Sequence, residues 1–437
     1  MDKTRRSFLK TTAAAGLTLS AVRPVAAGDD TRYVVNTDGS GVKSNIEDAG
    51  YSIQHELGGN VYLAVGSSDD RTALEDVNGV GDVARDVNLD FEKPEKEHEN
   101  TTTDDDLYPY QWDKQVTDVP EAHDTTTGEG TRLAIIDTGI DVDHPDLQAN
   151  VNADAGRLFK HGDILHDEQD VYGHGTHVAG ITAASDDGTT GVVGTAPDAE
   201  LVSLRVFYYE DYDGDGEAEL YTTVGDILTA IDYAASIDAD AANMSIGTPP
   251  LPPQVNGSGI RGAYERVVRS ATQRDTVIVA SAGNSGADLQ HEGYFTTPNS
   301  ISGAMSISAT GPNDKRVFYS NYGTNEIDVG APGGGYETLD KTLSDSTEWP
   351  YPTNLVLSSV PPDIYGAYYA YFAGTSMAAP QVTGTVGLVR SQSPDANSEK
   401  VEKAIREGAE GVDGQSSADI GAGRLNADKA LDAGGLK

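Results

Sequence analysis

The sequence predicts an α/β protein with a mainly parallel central sheet and helices on both faces, preceded by a small α+β unit. Three observations carry this. From Thr131 onward, short apolar runs alternate with longer stretches of helical spacing. Upstream, residues 31–92 hold four apolar runs and two short helical stretches in β-α-β-β-α-β order. Between the two, Glu92–Asp106 is charged, polar and almost free of apolar residues. A strand covered on both faces reads as a continuous apolar run, because neither face meets water.

At the amino terminus, Thr4-Arg5-Arg6-Ser7-Phe8-Leu9-Lys10 precedes a mild apolar stretch, Thr11–Val22, and then the small residues Val25-Ala26-Ala27. This pattern is similar to a twin-arginine signal peptide spanning residues 1–27, which implies secretion of an already folded protein. In residues 28–92, Arg32–Asn36 reads as a strand and Gly41–Ala49 as a helix. Tyr51–Glu56 and Val61–Val65 read as strands around Gly58-Gly59, Asp69–Val77 as a second helix and Val83–Leu89 as a last strand. That order is a ferredoxin-like split βαβ unit. Residues 93–106 are expected to be an exposed linker open to nicking. Residues 107–437 form the main domain, with strands at Arg132–Ile136, Glu200–Val206, Ala241–Ser245 and Thr276–Ser281. His174–Ala184, Val224–Ser236 and Arg261–Arg274 are its expected helices. In such sheets chemistry collects beyond the carboxyl ends of the strands.

Composition narrows the function. The formal net charge is −40, from 70 acidic and 30 basic residues, so the cationic patches that phosphate binding needs are not expected. No nucleic-acid partner is expected. Lys (13) is scarcer than Arg (17), and 21 Tyr outnumber 7 Phe. This acidic, Lys-poor chain fits concentrated salt, where counter-ions screen self-repulsion over about 3 Å at molar ionic strength, and a haloarchaeal source is the expectation. There is no Cys, which leaves Ser, Thr or a carboxylate as nucleophile. No apolar run approaches the ~20 residues of a membrane span.

Three segments at strand or helix ends carry chemistry. Asp137-Thr138-Gly139, with Ile140-Asp141, ends a strand. His174-Gly175-Thr176-His177-Val178-Ala179-Gly180 and Gly374-Thr375-Ser376-Met377-Ala378-Ala379-Pro380 each open a helix. A Ser hydroxyl is a poor nucleophile until an imidazole accepts its proton. A buried carboxylate must then fix the ring tautomer and stabilise the imidazolium. Gly175 and Gly374 are expected to allow close backbone approach. Ala280-Ser281-Ala282-Gly283-Asn284 places an uncharged amide after a strand, where it can face a developing oxyanion together with the Ser376 N–H. His174 and His177 could suggest a metal hydrolase that also uses Asp137. The spacing is not the i,i+4 pair with an intervening Glu of zinc hydrolases, and His177 is expected to be a packed core residue.

Taken together and in this order, the segments resemble the three active-site signatures of the subtilisin-like serine proteases, the subtilases, over roughly residues 107–433. With its acidic composition the chain resembles haloarchaeal halolysin-like members. The resemblance implies a subtilisin-like fold and a serine endopeptidase with Asp137, His174 and Ser376 as its triad, acting through an acyl-enzyme. Asn284 is implied as the oxyanion-hole donor, and Ser245, Ile246 and Gly247 as substrate-binding residues. It further implies that residues 28–92 are a pro-domain that assists folding and inhibits until removed. Partners are then protein or peptide substrates and the pro-domain, with a monomer expected.

No cofactor is expected for the chemistry. Structural calcium is expected at two places. Glu210–Glu217 spaces Asp211, Asp213 and Asp215 like an EF-hand-type loop with Gly216 sixth, although Thr222 stands where a bidentate Glu belongs. The family resemblance adds Asp146 and the Ser185-Asp186-Asp187-Gly188 loop, with Asp187 as a ligand.

Overall fold

In a computed structural model of the chain, the structure describes residues 23–24, 26–27, 30–39, 41–66, 71–90, 106–188, 191–211, 216–248, 250, 259–291, 295–344 and 353–433. Most of the 1–27 signal segment, most of the linker, and Asp213 and Asp215 lie outside the described residues.

The amino-terminal unit has two short strands, β1 (Arg23–Pro24) and β2 (Ala26–Ala27), followed by β3 (Asp30–Thr37), α1 (Val42–Asp48), β4 (Ser52–Leu57), β5 (Val61–Gly66), α2 (Arg71–Glu75) and β6 (Val80–Arg85). The four main strands lie in the order β4-β5-β3-β6, all neighbours antiparallel, which is the expected split βαβ arrangement. Alternation decides what each face covers. Tyr33 and Val35 of β3 pack with Val42 and Ile46 of α1, while Val34 points into the main domain's core.

The expected strand Val83–Leu89 is two strands. β6 ends at Arg85, and β7 (Val87–Asp90) joins a different, four-stranded sheet of order β1-β7-β13-β12. The break falls at Asp86, whose N–H still donates to the Arg32 carbonyl of β3 (2.9 Å) while its buried carboxylate accepts from Arg32 Nε (2.6 Å) and Gly225 N (2.9 Å).

The main domain opens with α3 (Trp112–Val116) and α4 (Val119–His123). Then come β8 (Arg132–Asp137), β9 (Arg157–Lys160), β10 (Asp163–Leu165), α5 (His174–Ala183), β11 (Glu200–Arg205), β12 (Tyr208–Glu210), β13 (Glu219–Thr223) and α6 (Val224–Ser236). β14 (Ala241–Met244), α7 (Ile260–Thr272), β15 (Val277–Ser281), β16 (Ala304–Thr310) and β17 (Val329–Pro332) follow. An antiparallel pair, β18 (Val356–Ser359) and β19 (Tyr369–Phe372), leads into α8 (Thr375–Gln392), α9 (Ser398–Gly408) and α10 (Ala427–Asp432). The central sheet runs β10-β9-β11-β8-β14-β15-β16-β17, parallel except for the β10–β9 edge.

β8 shows why a continuous apolar run is needed here. Leu133 and Ile135 pack on the face that holds α5 and α8, and Ala134 and Ile136 on the opposite face with α6 and α7. The amino-terminal unit docks on that second face. Its Leu57, Leu63, Val87 and Leu89 share a core with Ile227, Leu228 and Val267. The Gly58-Gly59 turn has a reason beyond turning: a Cβ on Gly59, where φ is +73°, would stand 2.7 Å from the Arg266 carbonyl carbon of α7. The chain leaves β8 toward β11 on one side and β14 on the other, and at such a reversal the strand ends open a crevice.

Candidate active site

The crevice at the carboxyl ends of β8, β14 and β15 gathers the residues singled out in the sequence. Asp137 is the last residue of β8 and is fully buried. Its Oδ1 accepts from His174 Nδ1 at 2.8 Å and from Thr138 N at 2.7 Å. His174 is the first residue of α5, which starts after Gly173 in the left-handed region at φ 106°. That start brings the helix against the exit of β8, and a Cβ on Gly175 would overlap the Gly139 carbonyl oxygen. Burial alone would lower the His174 pKa. The Asp137 charge and hydrogen bond, helped by the Asp170 charge, outweigh it and leave the pKa above the ordinary imidazole value.

Ser376 lies in the first turn of α8, which packs against α5. Its Oγ donates to the Ser245 carbonyl at 3.0 Å, and Ser245 Oγ donates back to the Ser376 carbonyl at 2.8 Å. Ser245 is held in turn by Asn243 Nδ2 (2.9 Å). Asn284 follows β15, and its Oδ1 accepts from both Thr375 N (2.9 Å) and Thr375 Oγ1 (2.8 Å). Because the amide is planar, those two bonds turn Nδ2 the other way. A Cβ on Gly374 would stand 3.5 Å from Asn284 Nδ2 and 3.6 Å from Ser376 N. These are ordinary contacts, so Gly374 is not required by backbone crowding. Its bare Cα instead keeps open a small space that both N–H donors border. Such a space can hold a developing oxyanion, and a buried Asp–His pair can take a proton from a hydroxyl.

Other candidates divide. Of the substrate-binding set, Ser245 is buried and engaged with Ser376, Ile246 has its side chain in the core, and Gly247 is half-buried at the rim. His177 is a packed residue, as expected. Its Nε2 meets the Ala370 carbonyl at 3.1 Å, its ring stacks on Phe372 at 4.2 Å, and burial pushes its pKa down to about 3.

Asp146 is buried, with its carboxylate accepting from Tyr369 Oη (3.0 Å) and Val192 N (3.1 Å). Burial raises its pKa, and the nearby Asp187 adds to the rise. A Cβ on Gly191 would lie 2.6 Å from Asp146 Oδ2, so only a glycine lets the backbone pack this closely on the carboxylate. Among the described residues no group of three or more His, Asp or Glu side chains stands together as a metal site would require. Asp211 closes its own loop, accepting from Gly216 N at 3.0 Å.

Sequence reasoning missed the supporting residues. Thr375, which orients Asn284, and Thr138 were visible as motif neighbours without an assigned role. Lys114, fully buried on α3, carried no local signal at all.

A family model described as "Subtilase family" matches residues 128–423. Thermitase of Thermoactinomyces vulgaris is 33% identical over 325 residues, covering 74% of this chain and 95% of the relative. The thermophilic serine proteinase of Bacillus sp. (strain AK1) is 33% identical over 326 residues, covering 74% of this chain and 67% of the relative.

The chain is a subtilase.

It is therefore a serine endopeptidase that acts on protein substrates and needs no cofactor for catalysis. A likeness in fold to a solved structure extends over the amino-terminal unit as well. The crystal structure of the epidermin leader peptide processing serine protease of Staphylococcus aureus superposes with a TM-score of 0.71 at 21% identity, covering 94% of this chain and 100% of that one. Among the described residues of this subtilase, no helix is long and apolar enough to cross a membrane.

Proposed function

We propose that this subtilase is a secreted endopeptidase that cuts by acyl transfer, with Ser376 as nucleophile, His174 as general base and Asp137 as its orienting carboxylate. Ser376 Oγ attacks the peptide carbonyl carbon while its proton passes to His174 Nε2. Asn284 Nδ2 and Ser376 N–H donate to the oxyanion. His174 then gives the proton to the leaving amine, and water repeats the sequence on the acyl-enzyme. The observation that carries this reading is the 2.8 Å bond from His174 Nδ1 to a fully buried carboxylate. It fixes the tautomer in which Nε2 is the free base.

Residues 28–92 act as the inhibitory pro-domain in this reading. Support comes from β7, which pairs antiparallel with β13 (Asn88↔Thr223, Leu89↔Thr222, Asp90↔Tyr221), the strand addition an extended peptide would also use. Ser245, Ile246 and Gly247 would offer substrate their backbone, since two of the three side chains are buried. Asp146 and Asp187 would hold a structural calcium, with Asp211, Asp213 and Asp215 as a second set. The twin-arginine segment directs export, and the −40 charge suits a brine.

The test is phenylmethylsulfonyl fluoride treatment of matured protein in molar salt, with casein digestion followed in parallel. Labelling at Ser376 with loss of digestion is expected. Digestion that persists in Ser376→Ala would overturn the serine mechanism.

A further inference from the structure

Behind the Asp137–His174 pair lies a second buried carboxylate, Asp170, 5% exposed. Its Oδ1 accepts from Thr138 Oγ1 (2.9 Å), Tyr172 N (2.9 Å) and Gly173 N (2.8 Å). Its Oδ2 accepts from Thr176 N (2.9 Å) and Thr176 Oγ1 (2.5 Å). Both hydroxyls are bridges. Thr138 Oγ1 also accepts from Gly175 N (2.9 Å), and Thr176 Oγ1 from Asp141 N (2.9 Å). With those lone pairs engaged, each hydroxyl hydrogen is directed at Asp170. The carboxylate thus meets only donors, an arrangement suited to the ionised form.

Each bridge ties the exit of β8 to the first turn of α5. One runs from residue 138 to residue 175 and the other from 141 to 176. Asp137 and His174 sit at the two ends that the bridges join.

We propose that Asp170 is a positioning residue: it locks the Asp137 strand end to the His174 helix, and its negative charge stabilises the imidazolium formed in the acyl transfer. This rests on the catalytic reading given above. The charged and titratable groups around His174 are Asp137, Asp170 and His177, the last kept neutral by burial. Asp170 itself is approached by Arg205, Tyr172 and Tyr365. Arg205 directs its guanidinium to Asp167 (3.0 Å) and the Gln169 carbonyl (2.8 Å), which leaves no hydrogen-bonded cation on Asp170 among the described residues. Burial pushes the Asp170 pKa up, and its donors oppose the rise.

The experiment compares matured wild type, Asp170→Asn and Thr138→Val on a peptide substrate across pH, with thermal melts as a check on folding. Asp170→Asn removes charge and the acceptors on one side; Thr138→Val removes one bridge and keeps the charge. Asp170→Asn is expected to lower kcat about 10- to 100-fold, as misplacement of a catalytic group by a fraction of an ångström to an ångström does, with KM within about twofold. It should also move the acid limb of kcat/KM to lower pH, because one of the charges that favours the imidazolium is gone. Thr138→Val should lower kcat and leave the limb in place. A limb that moves equally in both variants, or in neither, overturns the proposal, as does wild-type kcat in Asp170→Asn. If the Asn variant does not mature, wild-type kcat in Thr138→Val overturns it. A wild type that cleaves nothing would fail the catalytic reading instead.

Discussion

Lys114→Met should destabilise this subtilase severely, for a reason confined to one buried cluster. Lys114 and Asp113 both have fully buried side chains, and Lys114 Nζ lies 3.3 Å from Asp113 Oδ2. Nζ also donates to the Ile181 carbonyl (2.9 Å), Thr195 Oγ1 (3.0 Å) and Gln381 Oε1 (2.7 Å), which joins α3 to α5 and to the Ser376 helix α8. Gln381 Nε2 in turn donates to Asp113 Oδ2 at 2.7 Å. Met fills a similar volume but removes the charge, leaving Asp113 with one amide donor. Stranding a buried charge in this way costs about 3–5 kcal/mol. Asp113→Asn/Lys114→Met removes both charges and should recover much of that loss, since a neutral, well-packed replacement of a buried pair is often tolerated.

Urea unfolding in molar salt, in a Ser376→Ala background to prevent self-digestion, gives the difference from the shift in midpoint at constant m. A loss below about 1 kcal/mol in Lys114→Met, or a double variant less stable than the single one, would refute the reasoning. The pH dependence supplies a sign. Burial lowers the folded-state pKa of Lys114, against the opposing charge of Asp113. Between that lowered value and 10.5 the unfolded chain binds more protons, so this group's contribution to stability rises with pH through the window. Lys114→Met should lack that slope.

Three further outcomes are expected. Asn284→Ala should reduce kcat about 10²- to 10³-fold with little change in KM, because the donor acts on charge that develops only in the transition state; comparable losses in both parameters would contradict this. The acid limb of kcat/KM should have its midpoint above pH 6.5, since the base must be neutral and Asp137 and Asp170 raise its pKa against burial. A midpoint at or below 6.5 would contradict the geometry. In the amino-terminal unit, proposed above as the pro-domain, Arg32→Met removes the cation bonded to Asp86 Oδ2 and Thr223 Oγ1 (2.7 Å), leaving Asp86 and Asp226 buried without it. Residues 28–92 carrying the change should inhibit mature enzyme at least about 30-fold more weakly in a titration.

The elements read from sequence were those whose residues act locally. Arg132–Ile136 and Val224–Ser236 were legible because an apolar run or a helical period marks burial on two faces or one. The βαββαβ order of residues 30–85 was legible for the same reason. Val83–Leu89 was not, because its division falls at Asp86, whose buried carboxylate is held by Arg32 and the amino terminus of α6, residues far away in the chain. Nor were the strands β12 and β13 expected, since Tyr208–Glu210 and Glu219–Thr223 pair with each other and β13 with β7, contacts between segments distant in the chain.

The site divides along the same line. The proposed catalytic set, Asp137, His174, Asn284 and Ser376, could be named from sequence because each stands in a short motif on which the subtilase resemblance rests. What tertiary structure alone decided is how those runs are held. Asp170 became a candidate only when its five donors were seen to come from Thr138, from Tyr172 and Gly173 just before α5, and from Thr176 in its first turn. The Lys114 cluster joins residues 113, 114, 181, 195 and 381, no motif among them. A nucleophile or base declares itself by type and local spacing. A buried charge is tolerable only where distant donors or counter-charges converge on it, and that convergence exists only once the chain has folded.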